Sequence, residues 1–212
     1  QNIDWDCQVI KNYAEENKGC FDRIGLGALW VLEQESCAVF LEDDNNPELS
    51  FFPYCQELLE RYKNEDDVLW VCGTNYMETY CPPTGADYVF TRHMLPCGWA
   101  TWSHKFKKYY DAEFSNLSNA TIKSIRKNYS NKRLFKRDLK NWKMEIDNKK
   151  KDGRYCSWDY QMCFSLRFFN KLGIAPKYNQ ICNIGVDQAS EHGCRIQGHD
   201  RCQSQLQERA AR

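Results

Sequence analysis

An acidic turn, Glu42-Asp43-Asp44, follows an apolar run of strand length at residues 37–41. Such a run predicts a strand that is buried on both faces, as in a parallel sheet. Open α/β sheets bind ligands where these strands end. Carboxylate oxygens suit Mg²⁺ or Mn²⁺, and such an ion can neutralise a diphosphate. The turn is therefore a candidate metal site, and the alternative is a solvated acidic loop that caps a helix.

The elements around this turn predict the unit that positions it. Apolar spacing predicts a helix over 21–34, a second helix over 51–63 with Ser50 as N-cap, and a buried strand over 68–72. Strand, turn, helix and strand in this order form a βαβ unit, which is typical of parallel sheets. Further along, the pattern predicts a strand at 87–91, a helical region from 98 to 110, apolar helix faces at 134–146 and 158–169, and short edge strands at 174–176 and 180–182.

Composition limits the classes of protein. The chain has 212 residues, 42% of them hydrophobic, which is enough for one domain with a sizeable core. The charges of its 29 basic and 29 acidic residues cancel, so the net charge does not indicate nucleic-acid binding. Residues 104–151 nevertheless carry fifteen lysines and arginines against five acids. This segment forms either solvated helix faces or a basic surface for an anionic membrane or a phosphorylated acceptor.

The twelve cysteines contain no CxxC pair and lie mostly in apolar stretches. This pattern favours free thiols in a reducing compartment over a disulfide framework. Residues His192, Cys194, His199 and Cys202 have side chains that bind zinc, although their spacing matches no finger pattern. A small zinc-stabilised interaction domain is therefore one alternative for the end of the chain.

Five motifs occur in order between Trp5 and His192. They are Asn17-Lys18-Gly19-Cys20, the acidic turn followed by Pro47 and Phe51-Phe52, Cys97-Gly98-Trp99-Ala100-Thr101-Trp102, Trp158-Asp159-Tyr160-Gln161, and Asn183-Ile184-Gly185. In this order they resemble GT-A glycosyltransferases, in particular bacterial sugar transferases similar to N-acetylglucosaminyltransferase I. The resemblance implies an α/β fold of the GT-A, Rossmann-like kind, with a mixed, mostly parallel sheet flanked by helices. It would cover residues 1–192, and 193–212 would be a polar tail.

The resemblance also implies an activity. A sugar would pass from a nucleotide-diphosphate donor, with a UDP-sugar favoured, to a hydroxyl of a glycan or lipid-linked glycan, with inversion, in polysaccharide biosynthesis. Asp44 would bind Mn²⁺ or Mg²⁺, as in a DXD-like motif, and Glu42 and Asp43 would contact the donor. The alternatives are a non-catalytic sugar- or nucleotide-binding module and an unrelated metal-dependent hydrolase.

Four further residues take roles by the same resemblance. Gly98 and Trp99 would line the acceptor side, although core packing is an equal reading of Trp99. Asp159 would be the catalytic base, with helix N-capping as the alternative. In the related motif two acids follow the tryptophan, and here a tyrosine replaces the second. His192 would complete the metal shell, in a run one residue longer than the family pattern.

The sequence departs from the family before the acidic turn. The related enzymes have a first strand with a nucleotide-binding loop, and no such element precedes Trp5. We therefore expect a fragment, a partner chain or domain that supplies this strand, or a protein that no longer turns over. A cytoplasmic location, with membrane contact through 104–151, fits the thiols and the bacterial resemblance. The sequons at Asn116, Asn119 and Asn128 favour the alternative, the Golgi lumen.

Overall fold

The computed structural model describes residues 5–185. Its strands are β1 (Cys37–Phe40), β2 (Asn45–Pro47), β3 (Val68–Cys72), β4 (Tyr88–Thr91), β5 (Trp99–Trp102), β6 (Leu172–Pro176) and β7 (Ile181–Asn183). Its helices are α1 (Gly27–Gln34), which a π-helical turn at Phe21–Leu26 precedes, α2 (Phe51–Arg61), α3 (Ser103–Tyr109), α4 (Asn119–Arg126), α5 (Lys132–Asp152) and α6 (Asp159–Phe168). Residues 6–14 form neither helix nor strand.

The central sheet is mixed, as predicted, with the strand order β1-β5-β3-β6-β4. Strands β3 and β6 are parallel neighbours, and the other three neighbouring pairs are antiparallel. The prediction of a mostly parallel sheet therefore needs a correction. The predicted unit β1, α2 and β3 forms, but β5 lies between its two strands and runs against both. The strands that run in the same direction are β1, β3 and β6.

Two local predictions were wrong for the same reason. The sequence predicted that helix begins near Gly98, but residues 99–102 form β5, with all four residues buried. Aromatic and β-branched side chains pack well in a strand, and the helix begins only at Ser103. The sequence also predicted an edge strand at 174–176, whereas β6 lies between β3 and β4. In both cases the neighbouring strands, which local spacing does not reveal, decide the structure.

A stack of tryptophans joins the sheet to α6. The ring of Trp99 lies 4.3 Å from the ring of Trp70 and 5.0 Å from the ring of Trp158, measured between centroids. All three side chains are fully buried. Burial of such large aromatic groups contributes strongly to stability. Because Trp158 directly precedes α6, this stack also fixes where that helix begins.

Some predictions fall outside this framework or are only partly met. His192, the cysteine- and histidine-containing cluster and the tail at 193–212 lie outside the described residues. Nine cysteines of residues 5–185 form no disulfide, whereas Cys182 is disulfide-bonded. No helix in the described part of the chain combines the length and apolar character needed to cross a bilayer. The basic segment 104–151 contains the whole of α4 and all but one residue each of α3 and α5.

Candidate functional site

The acidic turn links β1 to β2 at one end of the central sheet. The amide of Asn45 donates a 3.0 Å hydrogen bond to the carbonyl of Glu42, which closes the turn. β2 then pairs antiparallel with β7, so that Asn45 lies opposite Asn183. This small second sheet brings residues from the end of the described chain against the turn. Asp43 is exposed to solvent, whereas Glu42 and Asp44 are half-buried.

Asp44 is held from several sides. Its Oδ1 accepts a 2.6 Å hydrogen bond from the side-chain amide of Asn45, and its Oδ2 accepts one of 3.0 Å from the side-chain amide of Asn183. Its backbone carbonyl accepts a 2.8 Å bond from the amide of Ile184. A Cβ at Gly185 would lie 2.3 Å from Oδ2, so glycine is needed there for close approach. Asp44 is therefore a fixed carboxylate whose remaining lone pairs stay available for a cation.

Gly98 and Trp99 occupy different surroundings. The amide of Gly98 donates a 2.7 Å bond to Oδ1 of Asn45, so this backbone is tied to the acidic turn. Gly98 has φ +60°, and a Cβ there would lie 2.4 Å from Ile181. Trp99 is 1% exposed, and its ring stacks on Phe40 at 4.0 Å. Core packing therefore describes Trp99, and Gly98 is fixed by a protein contact.

Asp159 is the first residue of α6 and lies near the acidic turn in space. Its Oδ1 accepts a hydrogen bond from the hydroxyl of Ser157. Its negative charge raises the pKa of Glu42, although more than a hundred residues separate the two in sequence. The structure thus brings the predicted base within electrostatic reach of Glu42, one of the predicted donor-binding residues. The tryptophan stack and the β2–β7 pairing are what bring them together.

Glu42 carries the clearest electrostatic signature of the site. Burial, followed by the charges of Asp44, Asp159 and Asp43, raises its pKa to about 7 from an ordinary value of 4.5. Three neighbouring carboxylates therefore add to burial in disfavouring the ionised form of Glu42. A strongly perturbed carboxyl of this kind is common at functional sites.

The acidic turn offers carboxylate oxygens, which are the ligands that hard divalent cations prefer. Within residues 5–185, no three His, Cys, Asp or Glu side chains stand close enough to make a complete metal cage. Mg²⁺ in proteins that act on phosphates is commonly held by one or two carboxylates, with water and substrate phosphate oxygens as the other ligands. Asp44 could serve as one such carboxylate, and His192 lies outside the described residues.

Sequence reasoning missed two positioning residues, Asn45 and Asn183. Asn45 is buried and connects Asp44 to the backbone of Gly98. Asn183 bonds to Asp44 from the opposite strand. Asn183 belongs to a motif that the sequence singled out, but its contact with Asp44 depends on the pairing of two three-residue strands. Asn45 carried only a weak signal, its place directly after the acids.

The sequence matches no protein-family model, and no curated protein matches it.

Proposed function

We propose that this chain is a metal-dependent glycosyltransferase of the GT-A kind, which moves a sugar from a nucleotide-diphosphate donor to a glycan hydroxyl. One observation carries the proposal, namely that Asp159 lies within electrostatic reach of Glu42 in the acidic turn. A transferase needs a cation site for the leaving diphosphate and a base for the acceptor hydroxyl. Here residues suited to both tasks converge from distant parts of the chain.

The chemistry assigns a task to each residue. A bound Mn²⁺ or Mg²⁺ would supply charge stabilisation for the diphosphate. Asp44 would hold that ion, and Glu42 with Asp43 would hold the donor beside it. Asp159 would take the proton of the acceptor hydroxyl as the hydroxyl oxygen bonds to the anomeric carbon. The bond from that carbon to the diphosphate oxygen breaks, and the electron pair leaves with the diphosphate.

A non-catalytic binding module is the second candidate, and the contacts of Asp44 favour it. Both carboxylate oxygens of Asp44 already accept amide hydrogen bonds, so this residue also serves to join β2 to β7. A module that kept the fold for binding would retain those contacts. It would not need a proton acceptor at Asp159.

The first test is thermal unfolding with Mn²⁺ alone and then with Mn²⁺ plus UDP, UDP-GlcNAc or GDP. A ligand at a hundredfold above its dissociation constant stabilises the folded state by about 2.7 kcal/mol. We expect a rise in Tm of several degrees that needs both metal and one nucleotide. Asp44→Asn should abolish it, whereas the exposed Asp152→Asn should not. The absence of a shift with any nucleotide would contradict the proposal.

A second measurement separates the enzyme from the binding module. Release of free nucleotide from the sugar nucleotide that gives the shift is followed over time. We expect release from the native chain, and in Asp159→Asn we expect a retained Tm shift with release reduced at least a hundredfold. Nucleotide binding without release, in the presence of a panel of acceptor sugars, would favour the binding module.

A further inference from the structure

A large cavity, which none of the residues of the acidic turn lines, plays no part in the site described above. It has a volume of about 1290 Å³ and lies between α2, the loop at 73–87, β4 and the first half of α5. Sites for drug-sized ligands commonly measure about 300–1,000 Å³. This cavity is therefore large enough for a ligand longer than one sugar ring.

A chain of contacts joins this cavity to the acidic turn. Tyr76 lines the cavity and shares a hydrogen bond with the thiol of Cys97. That thiol accepts a 3.7 Å hydrogen bond from Asn183, which also bonds to Asp44. Asp159 is close enough to Tyr76 for the two side chains to interact electrostatically. Tyr76 therefore connects the lining of the cavity to the proposed base and, through Cys97 and Asn183, to the acidic turn.

The loop that carries Tyr76 is firmly anchored. The side-chain amide of Asn75 donates hydrogen bonds of 2.9 and 3.0 Å to the carbonyls of Pro176 and Lys177. Its side-chain oxygen accepts a bond from the amide of Met77. An anchored backbone that presents exposed aromatic side chains provides a binding surface at little cost in conformational entropy.

The lining of the cavity combines aromatic faces with hydrogen-bonding groups. Tyr76 is 68% exposed and Phe90 is 48% exposed, and Tyr80 and Tyr88 also line the cavity. Tyr54 adds a buried hydroxyl that has no hydrogen-bond partner within residues 5–185. Sugar rings present apolar C–H faces and hydroxyl edges, and this lining offers a partner for each of them.

The charge of the lining limits the class of ligand. Among the described residues that line the cavity, Glu57 and Asp87 are acidic, and Arg61 and Arg137 are basic. Arg61 is already paired with Glu57 at 2.5 Å and donates to the hydroxyl of Tyr88 at 3.1 Å. The charges therefore balance, which favours a neutral ligand over a polyanion.

We propose that this cavity, the aromatic groove, binds a neutral oligosaccharide of several sugar units, with the end to be extended placed at Tyr76 beside Asp159. The oligosaccharide would be the acceptor, and in this respect the inference rests on the proposed function. Tyr76 and Phe90 supply the stacking faces, and Tyr80, which is 38% exposed, supplies a hydroxyl for hydrogen bonding.

The test uses chitotetraose, cellotetraose and maltotetraose as neutral probes, and a hyaluronan tetrasaccharide as an anionic probe. Binding to the metal-free chain is measured by saturation-transfer NMR and calorimetric titration. We expect at least one neutral probe to bind, and we expect Tyr76→Ala with Phe90→Ala to weaken it at least tenfold. Tyr13→Ala is the control, because Tyr13 is 81% exposed and does not line the groove.

Three results would overturn the inference. They are no binding of any neutral probe, binding that the double variant leaves unchanged, and tighter binding of the anionic probe than of every neutral one. The single variant Tyr76→Ala, which leaves β4 intact, repeats the test if the double variant unfolds at a lower temperature. Asp44→Asn should retain probe binding. Probe binding without any nucleotide-dependent Tm shift would overturn the proposed function and leave the groove as a glycan site.

Discussion

Replacement of Glu42 by glutamine should stabilise the metal-free chain at alkaline pH. Burial and three neighbouring carboxylates raise the pKa of Glu42 from 4.5 to about 7. The folded state therefore holds a proton that the unfolded state has already lost between these two pH values. Stability falls as the pH rises through this window, and the full penalty is present above pH 7. Glutamine has the same shape and carries no charge, so it removes the penalty.

The size of the effect follows from the same values. A rise in pKa from 4.5 to about 7 corresponds to at most about 3 kcal/mol. Glu42 is only half-buried, and solvent screening reduces this to about 1–2 kcal/mol. In a chain of this size, 1 kcal/mol changes Tm by about 2–4 °C. We therefore expect Glu42→Gln to raise Tm at pH 8 by roughly 2–8 °C, and by much less at pH 5.

The assay is thermal unfolding followed by circular dichroism at pH 5 and pH 8, in EDTA. The exposed Glu60→Gln on α2 is the matched control and should change Tm by less than about 1 °C at both pH values. A stabilisation by Glu42→Gln that is equal at the two pH values would refute the reasoning, because it would show a packing effect. Destabilisation at pH 8 would show that the ionised carboxylate is held by favourable contacts.

Three further changes test the framework around the site. Gly98→Ala introduces a Cβ into a tight contact at positive φ and should lower the free energy of unfolding, measured with denaturant, by about 2–4 kcal/mol. The control Gly153→Ala, at positive φ but in open space, should lower it by about 1 kcal/mol. Equal losses in the two variants would contradict the tight contact at Gly98. Lys105→Met removes an ammonium that donates to three backbone carbonyls and should cost about 3 kcal/mol or more, whereas the exposed Lys107→Met should be near neutral. Asn45→Ala should at least halve the Tm shift produced by Mn²⁺ and nucleotide, because it removes the hydrogen bonds that hold Asp44 and Gly98. An unchanged Tm shift would show that Asn45 does not position these two residues.

The sequence predicts the elements around the acidic turn well because their signals are local. The apolar run at 37–41 and the buried strand at 68–72 have no competing pattern, and both form strands close to the expected residues. The prediction that the first strand is buried on both faces was wrong, because β1 is an edge strand of the sheet and is only partly buried. Helix α2 begins at Phe51, as predicted, although the hydroxyl of Ser50 bonds to Gln180 and does not cap the helix. The segment at 99–102 was predicted wrongly because its neighbours in the sheet determine its conformation.

The candidate site was predictable in its residue types and unpredictable in its geometry. The carboxylates of the turn and Asp159 were candidates from the sequence, but their proximity depends on the burial of Trp158 against Trp99. The contribution of Asn45 depends on the register of β2 with β7, which are three residues long each. Strands of that length carry too little hydrophobic pattern for their pairing to be read from the chain.

The placement of β5 between β1 and β3 has a consequence for biosynthesis. β1 leaves the ribosome long before its partner, since Cys37 pairs with Trp102 and Phe40 with Trp99. Pairings between segments so distant in sequence form slowly, because the intervening loop must be closed first. The amide that holds Oδ2 of Asp44 comes later still, from Asn183. A nascent chain therefore exposes a loose acidic turn and an incomplete sheet until residue 183 has been translated, and only then can the carboxyl groups be gathered into one cluster.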